Sequence, residues 1–233
     1  MIPATISAIR QGTPTVKVFT LDTGDQQMDY KPGQWLDLYV NVGGNEEVGG
    51  YSMTSSPLSR GSIELAIKES EENPVTMHLH HHAHVGDEVM LDGGQGDCYY
   101  EAGIAPSLVL IAGGIGITPI MSILRYACVA TPDVPITLLY SATSVDEHLN
   151  RDEIEELAAA REGLHCEFWV TRDGALQAGT VRGRIGEARL KDTAADTEAC
   201  YFVCGPPAMI DDVTNVLTEL GVAKARVRFE RWW

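Results

Sequence analysis

Leu108-Val-Leu-Ile-Ala-Gly-Gly-Ile-Gly-Ile-Thr-Pro119 decides the fold of this 233-residue chain. Its opening apolar run, Leu108 to Ala112, does not alternate and reads as a strand buried on both faces. Gly113, Gly114 and Gly116 follow, and a helical stretch opens near Pro119 and runs to Ala130. A strand that feeds a glycine turn and a helix start brings backbone N–H groups and a partial positive charge to one point. Parallel sheets hold a pyrophosphate in this way. The same turn also serves tight packing alone, so its setting has to decide.

Toward the C-terminus that setting repeats strand and helix. Ile136 to Ser141, Cys166 to Thr171, Cys200 to Cys204 and Arg226 to Glu230 read as strands, and Arg151 to Arg161 and Ala208 to Leu220 as helices. Such alternation predicts an α/β doubly wound parallel sheet. Toward the N-terminus the rhythm differs. Thr5 to Arg10, Val16 to Leu21, Trp35 to Val40, Tyr51 to Thr54, Ser62 to Ile67 and Glu88 to Leu91 are short runs separated by turn formers, the pattern of an antiparallel β-barrel. One helix is expected there, over Thr76 to His84 with Pro74 as its start signal. The break between the two rhythms falls in Glu101 to Pro106, giving expected domains of 1–103 and 104–233.

Acidic residues outnumber basic ones 33 to 17, a formal charge of -16, which argues against nucleic acid or an anionic membrane as partner. The five cysteines are dispersed, with no C-x-x-C pair, as expected of a reducing compartment and not of an iron–sulfur site. Met1 to Gly12 lacks signal-peptide character, and no apolar run reaches the roughly 18 residues of a membrane span, so a cytoplasmic location is the default expectation. Within Thr76 to His84, the pairs 78/82 and 80/84 of His78, His80, His81, His82 and His84 lie one helical turn apart, a metal-ligand spacing. No carboxylate or cysteine stands beside them in a known motif, so solvated surface histidines are the plainer reading and no metal is expected.

Four segments in order resemble the ferredoxin-NADP reductase superfamily: Tyr30-Lys-Pro-Gly-Gln-Trp35, Tyr51-Ser52 with Ser55, Gly113-Gly-Ile-Gly-Ile-Thr-Pro119, and Cys204-Gly-Pro206. Gly49-Gly-Tyr-Ser-Met-Thr-Ser-Ser-Pro57 and the ending Phe229-Glu-Arg-Trp-Trp233 are similar to its oxidoreductase NAD-binding domain-containing branch. The resemblance implies a flavin-binding Greek-key barrel followed by a nicotinamide dinucleotide domain. It also implies an enzyme that passes hydride from NAD(P)H to flavin N5 and hands electrons to a separate acceptor. A reductase component of a multicomponent oxygenase and a non-catalytic nucleotide-binding module are the alternatives. FAD and NADP are the expected cofactors, with NAD as the other nicotinamide.

The same resemblance assigns flavin contacts to Tyr51, Ser52, Met53, Thr54, Ser55, Ile67, Lys68, Val75, Thr76, Trp232 and Trp233. It assigns the nicotinamide dinucleotide to Gly113, Gly114, Gly116, Ile117, Thr118, Pro119, Ser141, Thr171, Arg172, Arg184, Cys204, Gly205 and Pro206. Arg172 and Arg184 are the residues placed to fork a 2'-phosphate. Ser52, Cys204 and Glu230 are the expected catalytic residues, at the flavin N5, beside the hydride path and in proton relay respectively. One departure stands out: the family's arginine that clamps the flavin diphosphate is Gly49 here, removing a charge-assisted contact of about 1.5–3 kcal/mol. FAD against FMN is thereby left open, and a histidine of the 78–84 run is the expected substitute cation.

Overall fold

The computed structural model describes residues 1–172 and 177–231. Six strands, β1 (Ile2–Thr13), β2 (Val16–Asp22), β3 (Trp35–Val42), β4 (Asn45–Ser52), β5 (Ser62–Lys68) and β6 (Glu88–Gln95), form an antiparallel sheet in the order β4-β3-β6-β1-β2-β5. A single bridge, Met53 to Leu65, joins the run after β4 to β5 and closes the sheet on itself. Alternation fills the interior: Leu36, Leu38 and Val40 of β3 point inward against Phe19, Leu65 and Leu91 while their neighbours face out. Helix α1 (Pro74–His81) plugs one end through Val75 and Leu79.

The chain crosses to the second sheet between Gln95 and Leu108. There β7 (Leu108–Gly113), β8 (Ile136–Ala142), β9 (Leu164–Val170), β10 (Thr180–Arg182), β11 (Cys200–Cys204) and β12 (Val227–Glu230) run parallel in the order β10-β9-β8-β7-β11-β12. Helices α2 (Ile117–Ala130) and α3 (Arg151–Ala160) cover one face. Helices α4 (Glu187–Ala194) and α5 (Pro207–Glu219) cover the other. Every residue of β7 is buried because Leu108, Leu110 and Ala112 pack toward α2 while Val109 and Ile111 pack toward α5. Strand order reverses between β7 and β11, the position at which open α/β sheets leave a crevice beyond their carboxyl ends.

Both expected architectures are therefore present, and the differences are local. β4 begins at Asn45, six residues before the expected run, because Asn45 to Glu47 and two glycines carry no apolar alternation. β10 and α4 were not foreseen; α4 buries little beyond Leu190 and Thr193, so its sequence shows almost no stripe. α1 spans Pro74–His81 in place of Thr76 to His84, starting at the proline and stopping at His82.

Arg125 on α2 fastens the sheets together. Its guanidinium forks onto Glu153 at 2.6 and 2.7 Å and reaches across to the barrel, donating to the Thr54 carbonyl and to Glu64 Oε1, each at 2.8 Å. Beside it the Ser122 hydroxyl donates to the Ser55 carbonyl at 2.7 Å. Farther along, the Thr13 and Thr15 hydroxyls both donate to Glu147 Oε2, at 2.9 and 2.8 Å. Burial acts to raise the Glu64 carboxyl, but the Arg125 charge and the Thr54 hydroxyl outweigh it and hold it below its ordinary value. Its contribution to stability is thus present above the ordinary carboxylate pKa and is lost as the pH falls through the lowered one. The Arg125 side chain is 19% exposed, between the surface and buried regimes, so Arg125→Ala is expected to lower stability by about 2–4 kcal/mol. Urea unfolding at neutral pH measures this, and Arg125→Lys should recover less than half, since an ammonium cannot fork to both sides.

Candidate functional site

The barrel and the sheet enclose a crease of about 720 Å³, within the range of roughly 300–1,000 Å³ typical of small-molecule sites. Its barrel wall is Gly50, Tyr51, Ser52, Ile67 and Lys68, and its floor is the Gly113–Gly116 turn. Ser141 near the end of β8, Thr171 and Arg172 after β9, Arg184 after β10, and Gly205 and Pro206 after β11 complete the far wall. Sheet geometry spaces these groups: β9 stands two strands from β7, about 10 Å at ordinary strand separation.

Why the turn needs glycine is visible at Gly116. A Cβ there would meet the Cys204 carbonyl, and would lie 2.6 Å from the Gly205 nitrogen. The floor and the β11 turn therefore touch backbone to backbone, an approach no side chain permits. The α2 start that follows carries no side-chain cap, unlike α1. Its N-terminal partial charge faces a crease that also holds Arg172, Arg184 and Lys68, in a protein with a net charge of -16.

On the barrel wall, Tyr51 lies with its ring folded over Gly49: a Cβ on Gly49 would sit 2.6–2.8 Å from the Tyr51 hydroxyl and ring carbons. The Tyr51 hydroxyl is buried with no partner among the described residues, and burial pushes the phenol well up, so it is a neutral donor. Ser52, last in β4, is buried beside it and opposite Trp35. A tricyclic ring finds here an aromatic face, two hydroxyls and an adjoining dinucleotide floor. These residues fit the ring portion of a flavin.

Other expected residues lie away from the crease wall. Met53 is buried in the barrel core, and Thr54 and Ser55 are buried at the seam, where they offer their carbonyls to α2. Ile117 and Pro119 are buried in α2, while Thr118 reaches the crease. Val75 and Thr76 are buried at the start of α1, and the Thr76 hydroxyl donates to the Ser70 and Asn73 carbonyls at 2.9 and 3.0 Å. Cys204 is fully buried in the α2 core against Cys98; a hydrogen bond from that pairing, and burial, hold the Cys98 thiol high and neutral. Trp232 and Trp233 lie outside the described residues.

Glu230 ends β12 level with Cys204. One of its oxygens is buried with no partner among the described residues, and the other lies where a Cβ on Gly96 would be 2.7 Å away. Burial raises its carboxyl to about 7; the Trp35 hydrogen bond works against this and Asp97 adds to it.

The histidine run takes no place on the crease. His80 is buried with Nε2 2.9 Å from the Ile67 carbonyl, and His81 Nε2 lies 2.5 Å from Glu69. His78 and His82 sit together, ring centres 6.0 Å apart, and His78 opens on a different groove with Asp87 and Glu88. The expectation that one of them replaces the missing arginine finds no histidine of the run on the crease wall beside Tyr51. Among the described residues, no three His, Cys, Asp or Glu side chains are grouped to hold a metal.

Sequence reasoning missed Arg125, Glu147 and Asp212. The last two line the crease. Glu147 has no local signal, since its partners Thr13 and Thr15 lie 134 and 132 residues away.

Two family models match: an oxidoreductase FAD-binding domain over residues 5–100 and an oxidoreductase NAD-binding domain over residues 110–215. Oxidoreductase NAD-binding domain-containing protein 1 of Xenopus laevis is 32% identical, over 99% of this chain and 79% of that protein. Its namesake in Danio rerio is also 32% identical, over 100% and 92%. Among solved structures, the flavohem-like FAD/NAD binding domain of nitric oxide dioxygenase from Vibrio cholerae O1 biovar El Tor superposes with a TM-score of 0.88 at 28% identity. It covers 99% of this chain and 98% of that one. A ferredoxin NADP+ reductase from Neisseria gonorrhoeae, with bound FAD and NADP, shares the fold at a TM-score of 0.80 and 19% identity, over 98% and 97%. The paired domains, the shared crease and these relatives together place the chain in the oxidoreductase NAD-binding domain-containing protein 1 family, with the two-domain fold that ferredoxin NADP+ reductase also has.

Proposed function

We propose that this chain oxidises NAD(P)H by hydride transfer to a flavin and passes the electrons to a separate acceptor. The observation that carries this reading is the single crease whose barrel wall bears Tyr51 and Ser52 and whose floor is the open glycine turn. A flavin, when bound, supplies a hydride acceptor at its N5 and the ability to release electrons one at a time.

The chain's own residues do the rest. The Gly113–Gly116 backbone and the uncapped α2 start hold the nicotinamide pyrophosphate. Tyr51 presents an aromatic face and a neutral hydroxyl, and Ser52 a hydroxyl beside it. Arg125, Ser122 and Glu147 set the distance between the walls, which governs a reaction that depends on close approach. Glu230, neutral below about pH 7 and set behind Ser52 against Trp35 and Gly96 without lining the crease, holds a proton and keeps negative charge away from a ring that is gaining electrons.

Adding NADPH or NADH anaerobically to the chain with FAD should bleach the flavin band near 450 nm, an approximate marker of the oxidised ring. An unchanged band with both nucleotides would sink the reading. Preference between them rests on Arg172 and Arg184: NADPH is expected to turn over faster than NADH, and Arg172→Ala to raise the KM for NADPH about 10-fold or more while leaving that for NADH within about 2-fold.

Glu230 gives a pH signature. Its folded carboxyl lies above its ordinary value, so between about 4.5 and 7 the unfolded chain gives up this proton first and stability falls as the pH rises. Hydride transfer is expected to slow through the same upper limit near pH 7. Glu230→Gln should flatten both profiles, as read by pH-dependent melting and by stopped-flow oxidation of NAD(P)H.

A further inference from the structure

The barrel wall receives a flavin ring but offers little to a flavin diphosphate. Three devices that a diphosphate would use are each closed from within the chain. The first is residue 49, where a cation is absent and the Tyr51 ring covers the space a side chain would need. The second is the start of α1. Pro74 has no N–H, Val75 and Thr76 donate theirs to Asn73 Oδ1 at 2.9 and 3.2 Å, and Met77 donates to the Asn73 carbonyl at 3.1 Å. The first turn thus has no donor left for a phosphate oxygen, whereas the α2 start on the nicotinamide side has no such cap. The third is the Thr76 hydroxyl, whose proton goes to backbone carbonyls.

Nearby charge points the same way. Lys17 donates to the His80 carbonyl at 2.6 Å and His81 is paired with Glu69, so neither is placed to meet an anion. Exposed Glu71 and Glu72 stand immediately before Asn73. Among the described residues that line the crease, Lys68 is the barrel's one cation.

From this contrast we infer that flavin is a second, exchanging substrate of this chain and not a resident group: the crease takes the ring and its sugar-alcohol chain, treats riboflavin, FMN and FAD nearly alike, and releases the reduced flavin. The inference rests on the hydride-transfer reading above. In the step, the C4–H bond of NAD(P)H breaks and its electron pair leaves with the hydrogen to form the N5–H bond. The nicotinamide is left oxidised as NAD(P)+, and a proton from water completes the dihydroflavin. Electrons then travel to their acceptor on a diffusing flavin.

The test uses the full chain. Titration with riboflavin and with FAD, followed by quenching of flavin fluorescence, should give dissociation constants within about tenfold of each other, where a single strong phosphate contact would favour FAD a hundredfold or so. Gel filtration of chain loaded with FAD should strip the flavin, and anaerobic NAD(P)H should reduce many equivalents of riboflavin per chain. Stoichiometric FAD surviving gel filtration, or a hundredfold preference for FAD, overturns the inference and leaves hydride transfer standing. Flavin that binds without discrimination but is reduced by neither nicotinamide overturns both.

Discussion

The site exists only because α2 is fastened to the barrel. One guanidinium, Arg125, satisfies Glu153 on its own side and Glu64 and the Thr54 carbonyl on the other. Thr54 lies two residues beyond Ser52, and Arg125 lies on the helix that begins at the glycine turn. The two walls of the crease are thus held by short, stiff connections to one ion-pair cluster. The apolar packing is continuous across it, with Val16, Val18 and Ala66 of the barrel sharing a core with Leu110, Ile120 and Leu149. A chain dominated by acidic residues invests several of its few cations here: Arg125 at the seam, and Arg172, Arg184 and Lys68 around the crease.

Much of this was legible beforehand, and for physical reasons. Non-alternating Leu108 to Ala112 read as a strand buried on both faces, and of the glycines after it Gly116 makes a close backbone approach to Cys204 and Gly205. Alternation in β3 and β2 marked the barrel. What stayed hidden was of two kinds. Polar or short elements such as the start of β4, β10 and α4 bury too little to leave a pattern. Long-range partners such as Glu147 with Thr13, or Arg125 with Glu64, carry no trace in local sequence. In the histidine run, read from the sequence as solvated surface, the departure is His80, which is buried with its ring on the Ile67 carbonyl, while His81 pairs with Glu69.

Two helix starts flank the crease region with opposite chemistry. The α2 start is preceded by glycines, has no side-chain cap and opens on a crease that Arg172 and Arg184 line; the α1 start opens on Pro74, is capped by Asn73 and follows glutamates. A single asparagine oxygen, by accepting two N–H groups, distinguishes a terminus that can hold an anion from one that is finished. Gly49 matches this logic, since the ring that lies over it leaves no room for a clamp.

The distance in sequence between the crease walls also shapes how the molecule comes into being. The barrel wall is complete at Lys68, but the turn that faces it is not made until Gly205, 137 residues later (205 minus 68). At ordinary ribosomal speeds of roughly 5–20 residues per second, the nascent chain carries Tyr51 and Ile67 uncovered for about 7 to 27 seconds. During that interval the wall lacks the groups that stand opposite it in the finished protein.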